Sequence, residues 1–248
     1  MKSGTASGLV LIVFLLAGCG NIIPTSSGTE IVPVTSTASP TSDSSLFLSQ
    51  YAFPSSIDPA KRYMLYLHGR IIEDHGIPAV SAEYGEYQYE AILEKLASHG
   101  FTVISEQRQK DTDGMKYAAR VAGQVTELLN AGIPAKNITV VGASKGATIT
   151  IAISSFLANK ELNFVLMGTC DQETIQFSKQ QRLFLYGNIL TIRDSVDGSA
   201  GSCEELFSFS EGKISHHEEI VLHVGTGHGI LYKPLDEWIL PMAQWTEQ

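Results

Sequence analysis

Short, uninterrupted apolar segments alternate with helical segments along most of this chain, and this alternation restricts its fold more than any other feature. The apolar segments lie at residues 63–67, 101–105, 138–141, 164–167, 189–192 and 220–224. Apolar residues with helical spacing fill 87–99, 113–131, 147–157 and 235–245. Strands buried on both faces of a parallel sheet are apolar throughout, rather than alternating. Strand and helix in succession therefore predict a doubly wound α/β domain with a mostly parallel sheet.

The composition excludes several classes of function. The 248 residues carry a formal net charge of −9, and 44% of them are hydrophobic. A nucleic-acid-binding surface needs clustered Lys and Arg, and the sequence has no such cluster. The sequence also has no zinc-type spacing of His and Cys and no acidic calcium loop. We therefore expect neither a nucleic-acid partner nor a metal or other cofactor.

The start of the chain has the features of an export signal. Residues 1–18 combine Lys2 with the apolar run LVLIVFLL, which is shorter than the roughly 20 residues that span a bilayer. The next motif, LAGC, resembles the bacterial lipobox. That resemblance implies cleavage before Cys19 and attachment of lipid to its thiol. An ordinary secretory peptide with an incidental cysteine is the alternative.

Residues 19–45 are predicted to be a flexible tether, because a segment this rich in Ser, Thr, Pro and Gly buries too little apolar surface to fold. The folded domain is then expected over 46–248. A lipidated Cys19 would hold this domain at a bacterial membrane. By analogy with bacterial sorting rules, Gly20 and Asn21, with no Asp after the cysteine, favour the outer membrane, at its periplasmic face or at the cell surface.

The motif Gly-Ala-Ser-Lys-Gly at 142–146 identifies a candidate nucleophile. It follows an apolar strand and precedes a helix, which is the setting in which G-x-S-x-G forms a nucleophile elbow. Such a turn raises the hydroxyl of Ser144 above the sheet edge, and the helix behind it directs its amides at a developing oxyanion. A plain strand-to-helix turn is the alternative interpretation.

A serine hydroxyl needs a general base, and His228 is the candidate. It lies between glycines, after the last apolar strand, whereas the other histidines lie in strands, polar stretches or helix ends. The acid that orients it should lie between serine and histidine in the chain. Asp197 is the preferred acid and Asp194 the alternative, since both follow the strand at 189–192. One of the two is expected to cap a turn.

Two backbone amides are expected to bind the oxyanion. Lys145 follows the nucleophile directly, and Arg70 follows the His-Gly pair after the first strand, with Ile71 as the alternative. Because these residues would act through their amides, their side chains are left for other interactions. His68 is expected to be structural.

With LYLHGR, VVGASKGA, ILTIRDSVD and GTGHG in this order, the chain resembles the α/β-hydrolase superfamily from residue 63 to its end. The resemblance implies a sheet of eight strands, of which the first are antiparallel and lie within 46–62. The chain departs from many relatives because it has no obvious cap domain and has HGRI in place of HGGG. Both departures argue against a lipase and suit an open site that acts on a modest or polymer-borne acyl group.

Cys170 and Cys203 each follow a predicted strand, and adjacent strands would bring their loops together at the edge of the site. In an oxidising compartment we expect a disulfide that stiffens the loop of Asp197. Two buried free thiols are the alternative.

The predicted activity is hydrolysis of an ester, or alternatively an amide, through an acyl-enzyme. The substrate would be a small-molecule or polymer-borne acyl ester. A non-catalytic binding module on the same fold and an acyltransferase are the alternatives. The segment 71–86 is the expected substrate rim, where Glu73, Asp74 and Glu83 would either favour cationic or polyol substrates or simply be solvated.

Overall fold

A computed structural model describes residues 42–247 of the protein. The predictions for the signal peptide, for Cys19 and for most of the tether lie outside the described residues. None of the helices within this range has the length and hydropathy that a membrane span requires.

Eight strands and eight helices follow one another in the described range. The strands are β1 (Arg62–Leu67), β2 (Val80–Ser81), β3 (Gly85–Glu86), β4 (Phe101–Ile104), β5 (Ile138–Ala143), β6 (Asn163–Met167), β7 (Gly187–Asp194) and β8 (Ile214–Leu222). The helices are α1 (Ser42–Ser49), α2 (Arg70–His75), α3 (Tyr89–Ser98), α4 (Gly114–Asn130), α5 (Lys145–Leu157), α6 (Gln172–Gln180), α7 (Glu204–Phe209) and α8 (Asp236–Trp245). Two 3₁₀ turns occupy Ala135–Asn137 and Gly227–Tyr232.

Six of the strands form one parallel sheet in the order β4-β1-β5-β6-β7-β8, and β2 and β3 form a separate antiparallel ribbon. Helices cover both faces of the sheet. Tyr63 and Leu65 of β1 belong to the core with α4 and α5, whereas Met64 and Tyr66 belong to the core with α3 and α8. Both faces of the sheet are therefore shielded from water, which explains why the strands are apolar throughout. The predicted doubly wound α/β class is confirmed.

The expected strand count was wrong for the described range, where the main sheet has six strands rather than eight. Residues 46–62 form no antiparallel strands before β1: α1 ends at Ser49, and turns follow. Pro54 and Pro59 interrupt this stretch, and a proline cannot donate a hydrogen bond to a strand ladder. The connection between β6 and β7 contains only α6, so within 42–247 there is no large cap domain.

Candidate active site

The candidate residues come from loops at the carboxyl edge of the parallel sheet, where sites of this fold class form. Ser144 follows β5, Asp197 follows β7, and His228 follows β8. The amide of Ser144 donates to the carbonyl of Met167 at the end of β6, 2.9 Å away. Neighbouring parallel strands end at one edge, so residues far apart in the chain meet there.

Ser144 occupies a strained turn between β5 and α5. Its φ of 53° and ψ of −120° lie in a region that non-glycine residues rarely adopt. Both glycines of the motif are required by close backbone contacts. A Cβ on Gly142 would lie 2.3 Å from the carbonyl oxygen of Gly146, and one on Gly146 would lie 2.1 Å from that of Leu67. The elbow geometry expected for a nucleophile is present.

The imidazole of His228 is paired with a buried carboxylate. Its Nδ1 lies 2.8 Å from Oδ2 of Asp197, whose Oδ1 accepts the amide N–H of Ser199 at 2.9 Å. A carboxylate only accepts hydrogen bonds, so Nδ1 of His228 carries the proton. This tautomer leaves Nε2 free to accept a proton from another group.

Asp194, the alternative acid, is fully buried and has different partners. Its Oδ1 accepts the amide of Val196 at 3.0 Å, and its Oδ2 accepts the amide of Gly225 at 2.9 Å. Asp194 therefore ties the loop after β7 to the loop after β8. Of the two aspartates, the structure brings Asp197 to His228.

Ser144 and His228 line the same cleft, which has a volume of about 820 Å³. Within the described residues, their side chains are not hydrogen-bonded to each other. Catalytic hydrogen bonds are often long in a free enzyme and tighten when substrate binds. The arrangement thus brings Ser144 and His228 into one cleft without joining them directly.

The two expected oxyanion donors also border this cleft. Lys145 is the first residue of α5 and Arg70 the first of α2, so neither amide has an acceptor within its own helix. The backbone of Gly69, which precedes Arg70, lies close to Ser144: a Cβ on Gly69 would be 3.6 Å from Cβ of Ser144. Ile71, the alternative donor, is the second residue of α2, so its amide also has no acceptor within the helix, and its side chain packs against the core of α3 and α8.

The side chain of Lys145 joins a buried ion network that the sequence did not suggest. Its Nζ pairs with Oε1 of Glu73, and Nε of Arg108 lies 3.1 Å from Oε2 of the same carboxylate. Burial raises the pKa of Glu73, but hydrogen bonds from Lys145 and Arg108 outweigh it and hold that pKa below its usual value. The sequence predicted that Glu73 would either contact the substrate or be solvated. Its side chain is buried, so it does neither. Glu73 and Arg108 lie 35 residues apart, and no motif connects them.

His68 is structural, as expected. Its Nε2 accepts the amide of Arg108 at 2.9 Å, and its Nδ1 donates to the carbonyl of Gly69 at 2.7 Å. Burial, together with the positive charge of Arg108, lowers the pKa of His68 well below its usual value. The ring is therefore neutral and holds the turn after β1.

Cys170 and Cys203 form a disulfide, as predicted, and both residues are buried. Cys170 follows β6 in the chain, and Cys203 ends the loop that carries Asp197. The bond therefore ties one wall of the cleft to the acid loop.

Within residues 42–247, no group of three or more His, Cys, Asp or Glu side chains is arranged to hold a metal ion. The lining of the cleft beside Ser144 is partly apolar. Its apolar side chains come from α4, α5 and α6 and are those of Met115, Ile149, Ala152 and Phe177.

Comparison with known proteins gives matches at the level of structure. A scan against protein-family models finds no match, and a search of curated proteins finds none either. The esterase Pf2001 of Pyrococcus furiosus matches with a TM-score of 0.50 and 16% identity, over 77% of this chain and 84% of its own. A variant of Arabidopsis thaliana SOBER1 matches with a TM-score of 0.50 and 12% identity, over 76% and 98%. This protein has the α/β-hydrolase fold.

The site agrees with that fold in its order along the chain. In an α/β hydrolase the serine lies on a strand-to-helix elbow, and the acid and the histidine follow it in the sequence. Here the order is Ser144, Asp197 and His228, on the loops after β5, β7 and β8. At the identities of the matching structures the likeness establishes the fold alone, because one fold can carry many different activities.

Proposed function

We propose that this protein is a serine hydrolase that cleaves an ester through an acyl-enzyme. One observation carries the proposal: a strained Ser144 shares a cleft with His228, and Asp197 holds the tautomer of His228 that can accept a proton. Fold alone would not justify an enzymatic function. The combination of an elbow, a base and an orienting carboxylate is what nucleophilic catalysis requires.

The reaction would proceed in two halves. Nε2 of His228 takes the hydroxyl proton as Oγ of Ser144 attacks the ester carbon, and the carbonyl oxygen becomes an oxyanion held by the amides of Arg70 and Lys145. His228 then gives its proton to the leaving alcohol, and the acyl group remains on Ser144. A water molecule, deprotonated by His228, releases the acid and restores the serine.

The apolar side chains in the cleft support an acyl group with an apolar chain as the part of the substrate next to Ser144. Met115, Ile149 and Phe177 provide apolar contact area, and the cation of Lys145 is paired with Glu73 instead of facing the cleft alone. An amide substrate, or an acyl acceptor other than water, would use the same machinery. The esterase among the matching structures favours an ester.

Labelling with a fluorophosphonate probe tests the proposal, because the probe reacts with an activated serine. We expect labelling of the wild type and none of Ser144→Ala, together with a loss of roughly 10⁴-fold or more in kcat on a small activated ester. A Ser195→Ala variant, which changes a serine outside this cleft, is the matched control and should label normally. A non-catalytic binding module would leave the wild type unlabelled.

The same experiment tests the proposed anchor when it is performed on cell fractions. The LAGC motif supports lipidation of Cys19 at the bacterial envelope. The labelled band is then expected in the membrane fraction, because several acyl chains hold a protein stably at a bilayer. Cys19→Ser should move the band out of that fraction.

A further inference from the structure

A single buried carboxylate connects the two segments that carry the proposed oxyanion donors. Glu73 lies in the helix that begins at Arg70, and its Oε1 pairs with the side chain of Lys145, the first residue of α5. The side chain of Glu73 is 1% exposed, so it cannot touch a substrate. Any effect of Glu73 on the reaction must therefore act through the residues that it contacts.

The loop before α4 joins the same carboxylate and completes a closed set of contacts. The amide of Thr112 donates to Oε1 of Glu73 at 3.0 Å, and Nζ of Lys145 donates to the carbonyl of Thr112 at 3.0 Å. Oε1 of Glu73 and the ammonium group of Lys145 thus hold together three segments that are distant in the sequence: α2, the loop before α4 and the start of α5. The side chain of Lys145 has little freedom to leave, because it is only 19% exposed.

Arg108 extends the network to the turn before Arg70. Its Nε donates to Oε2 of Glu73 at 3.1 Å, its side chain is fully buried, and its Nη2 donates to the carbonyl of His68. The amide of Arg108 also donates to the ring of His68 at 2.9 Å. Both ends of the segment from His68 to Glu73 are therefore tied to one guanidinium group.

Stability alone is a weak reason for such a network. Taking charges out of water is costly, and well-packed apolar residues often serve stability equally well. Hydrogen-bonded ions do, however, impose a defined geometry. Oxyanion donors need that geometry, because they act only when they lie about 2.7–3.1 Å from the developing charge.

We propose that Glu73 is a positioning residue that sets the spacing of the two amide donors, those of Arg70 and Lys145, in the active site. This inference rests on the proposed function. Loss of the Glu73 charge would free the side chain of Lys145 and would leave Arg108 buried without a counter-ion. The two donors would then no longer be held relative to each other.

The effect should appear in the chemical step. The oxyanion develops in the transition state and the tetrahedral intermediate and is absent from the bound substrate, so misplaced donors lower kcat and leave ground-state binding largely unchanged. A displacement of about 1 Å can cost about 10²-fold in rate. For Glu73→Gln we expect kcat to fall roughly 10- to 100-fold, with KM changed by less than about 3-fold.

The test compares four variants on a soluble ester, at a temperature below the unfolding transition of every one. Glu73→Gln removes the carboxylate charge, Lys145→Met removes one partner and keeps the amide, and Lys145→Arg preserves the cation. Leu96→Ala, in the buried face of α3, controls for a general loss of stability. The affinity of each variant for phenylboronic acid, which forms a tetrahedral adduct with an active serine, reports on the oxyanion donors.

Glu73→Gln and Lys145→Met should lose kcat and boronate affinity together, Lys145→Arg should recover part of both, and Leu96→Ala should keep the wild-type kcat. Wild-type kcat and boronate affinity in Glu73→Gln would overturn the inference and leave the proposed function standing. If Glu73→Gln does not fold, Lys145→Met decides by the same criterion. A wild type that neither turns over the ester nor reacts with a fluorophosphonate would overturn both.

Discussion

Asp194 and Asp197 show how one loop assigns different tasks to neighbouring carboxylates. Asp194 accepts two backbone amides, one from its own loop and one from the loop after β8. Asp197 accepts one backbone amide and uses its other oxygen for His228. The distinction rests on where each side chain points, and it predicts different consequences of the same substitution.

Asp197→Asn should lower kcat by about 10⁴-fold, because an amide in place of the carboxylate favours the wrong tautomer of His228. Asp194→Asn should instead cost about 1–3 kcal/mol of stability, because the new amide group would face a buried backbone donor. Steady-state kinetics and urea denaturation of the two variants measure both effects. A larger loss of kcat in Asp194→Asn than in Asp197→Asn would reverse the assignment.

At the scale of whole elements, the site is assembled from loops that the sheet brings to one edge. The β5–α5 elbow is held by glycine contacts with the end of β1, so its geometry belongs to the packed sheet. The acid loop has less regular structure of its own. The Cys170–Cys203 disulfide closes a sequence separation of 33 residues and ties this loop to the loop after β6.

Replacing both cysteines with alanine should destabilise the protein by about 3–4 kcal/mol, since the disulfide restricts a loop of this length in the unfolded chain. Activity should also fall, because Asp197 lies in the loop that the bond holds. Urea denaturation measures the loss of stability. The loss of activity is measured as kcat under conditions well below the unfolding midpoint, where the variant is folded. Unchanged kcat in the folded variant would show that hydrogen bonds such as those of Asp194 hold the loop without the disulfide.

For the molecule as a whole, two buried groups make stability depend on pH. The pKa of His68 is lowered by burial and by the charge of Arg108, so the folded protein resists protonating a ring that titrates near 6.5 when unfolded. The pKa of Glu73 is also lowered: burial raises it, but hydrogen bonds from Lys145 and Arg108 more than offset that effect. In both cases the unfolded chain binds the proton more readily. Stability is therefore lost as the pH falls, below about 6.5 for His68 and below about 4.3 for Glu73.

The free energy of unfolding should accordingly decrease as the pH is lowered from 7 towards 5, with a contribution from His68 of up to about 1.4 kcal/mol per pH unit. His68→Gln should flatten the dependence in this window, because its side chain does not titrate. His75→Gln, at an exposed histidine, is the matched control. Urea denaturation at a series of pH values gives the slopes, and equal slopes for His68→Gln and the wild type would contradict the prediction.

Much of this architecture could be predicted from local patterns. The continuous apolar strands indicate burial on both faces, and Gly142 and Gly146 around Ser144 indicate the elbow, because a few neighbouring residues determine strand burial and turn geometry. The expectation of antiparallel strands within 46–62 came from resemblance rather than from those residues, and Pro54 and Pro59 stand against it. Local signals were thus the more reliable guide.

The remaining features depend on which distant segments meet. Position in the loop favoured Asp197 and left Asp194 as the alternative, and hydrogen bonds across the folded loops separate the two. Nothing in the spacing of Glu73, Arg108 and Lys145 predicts that they pair. Periodicity and turn chemistry are properties of a few consecutive residues and can be interpreted from the chain, whereas a buried ion network exists only once packing has excluded water and brought its charges together.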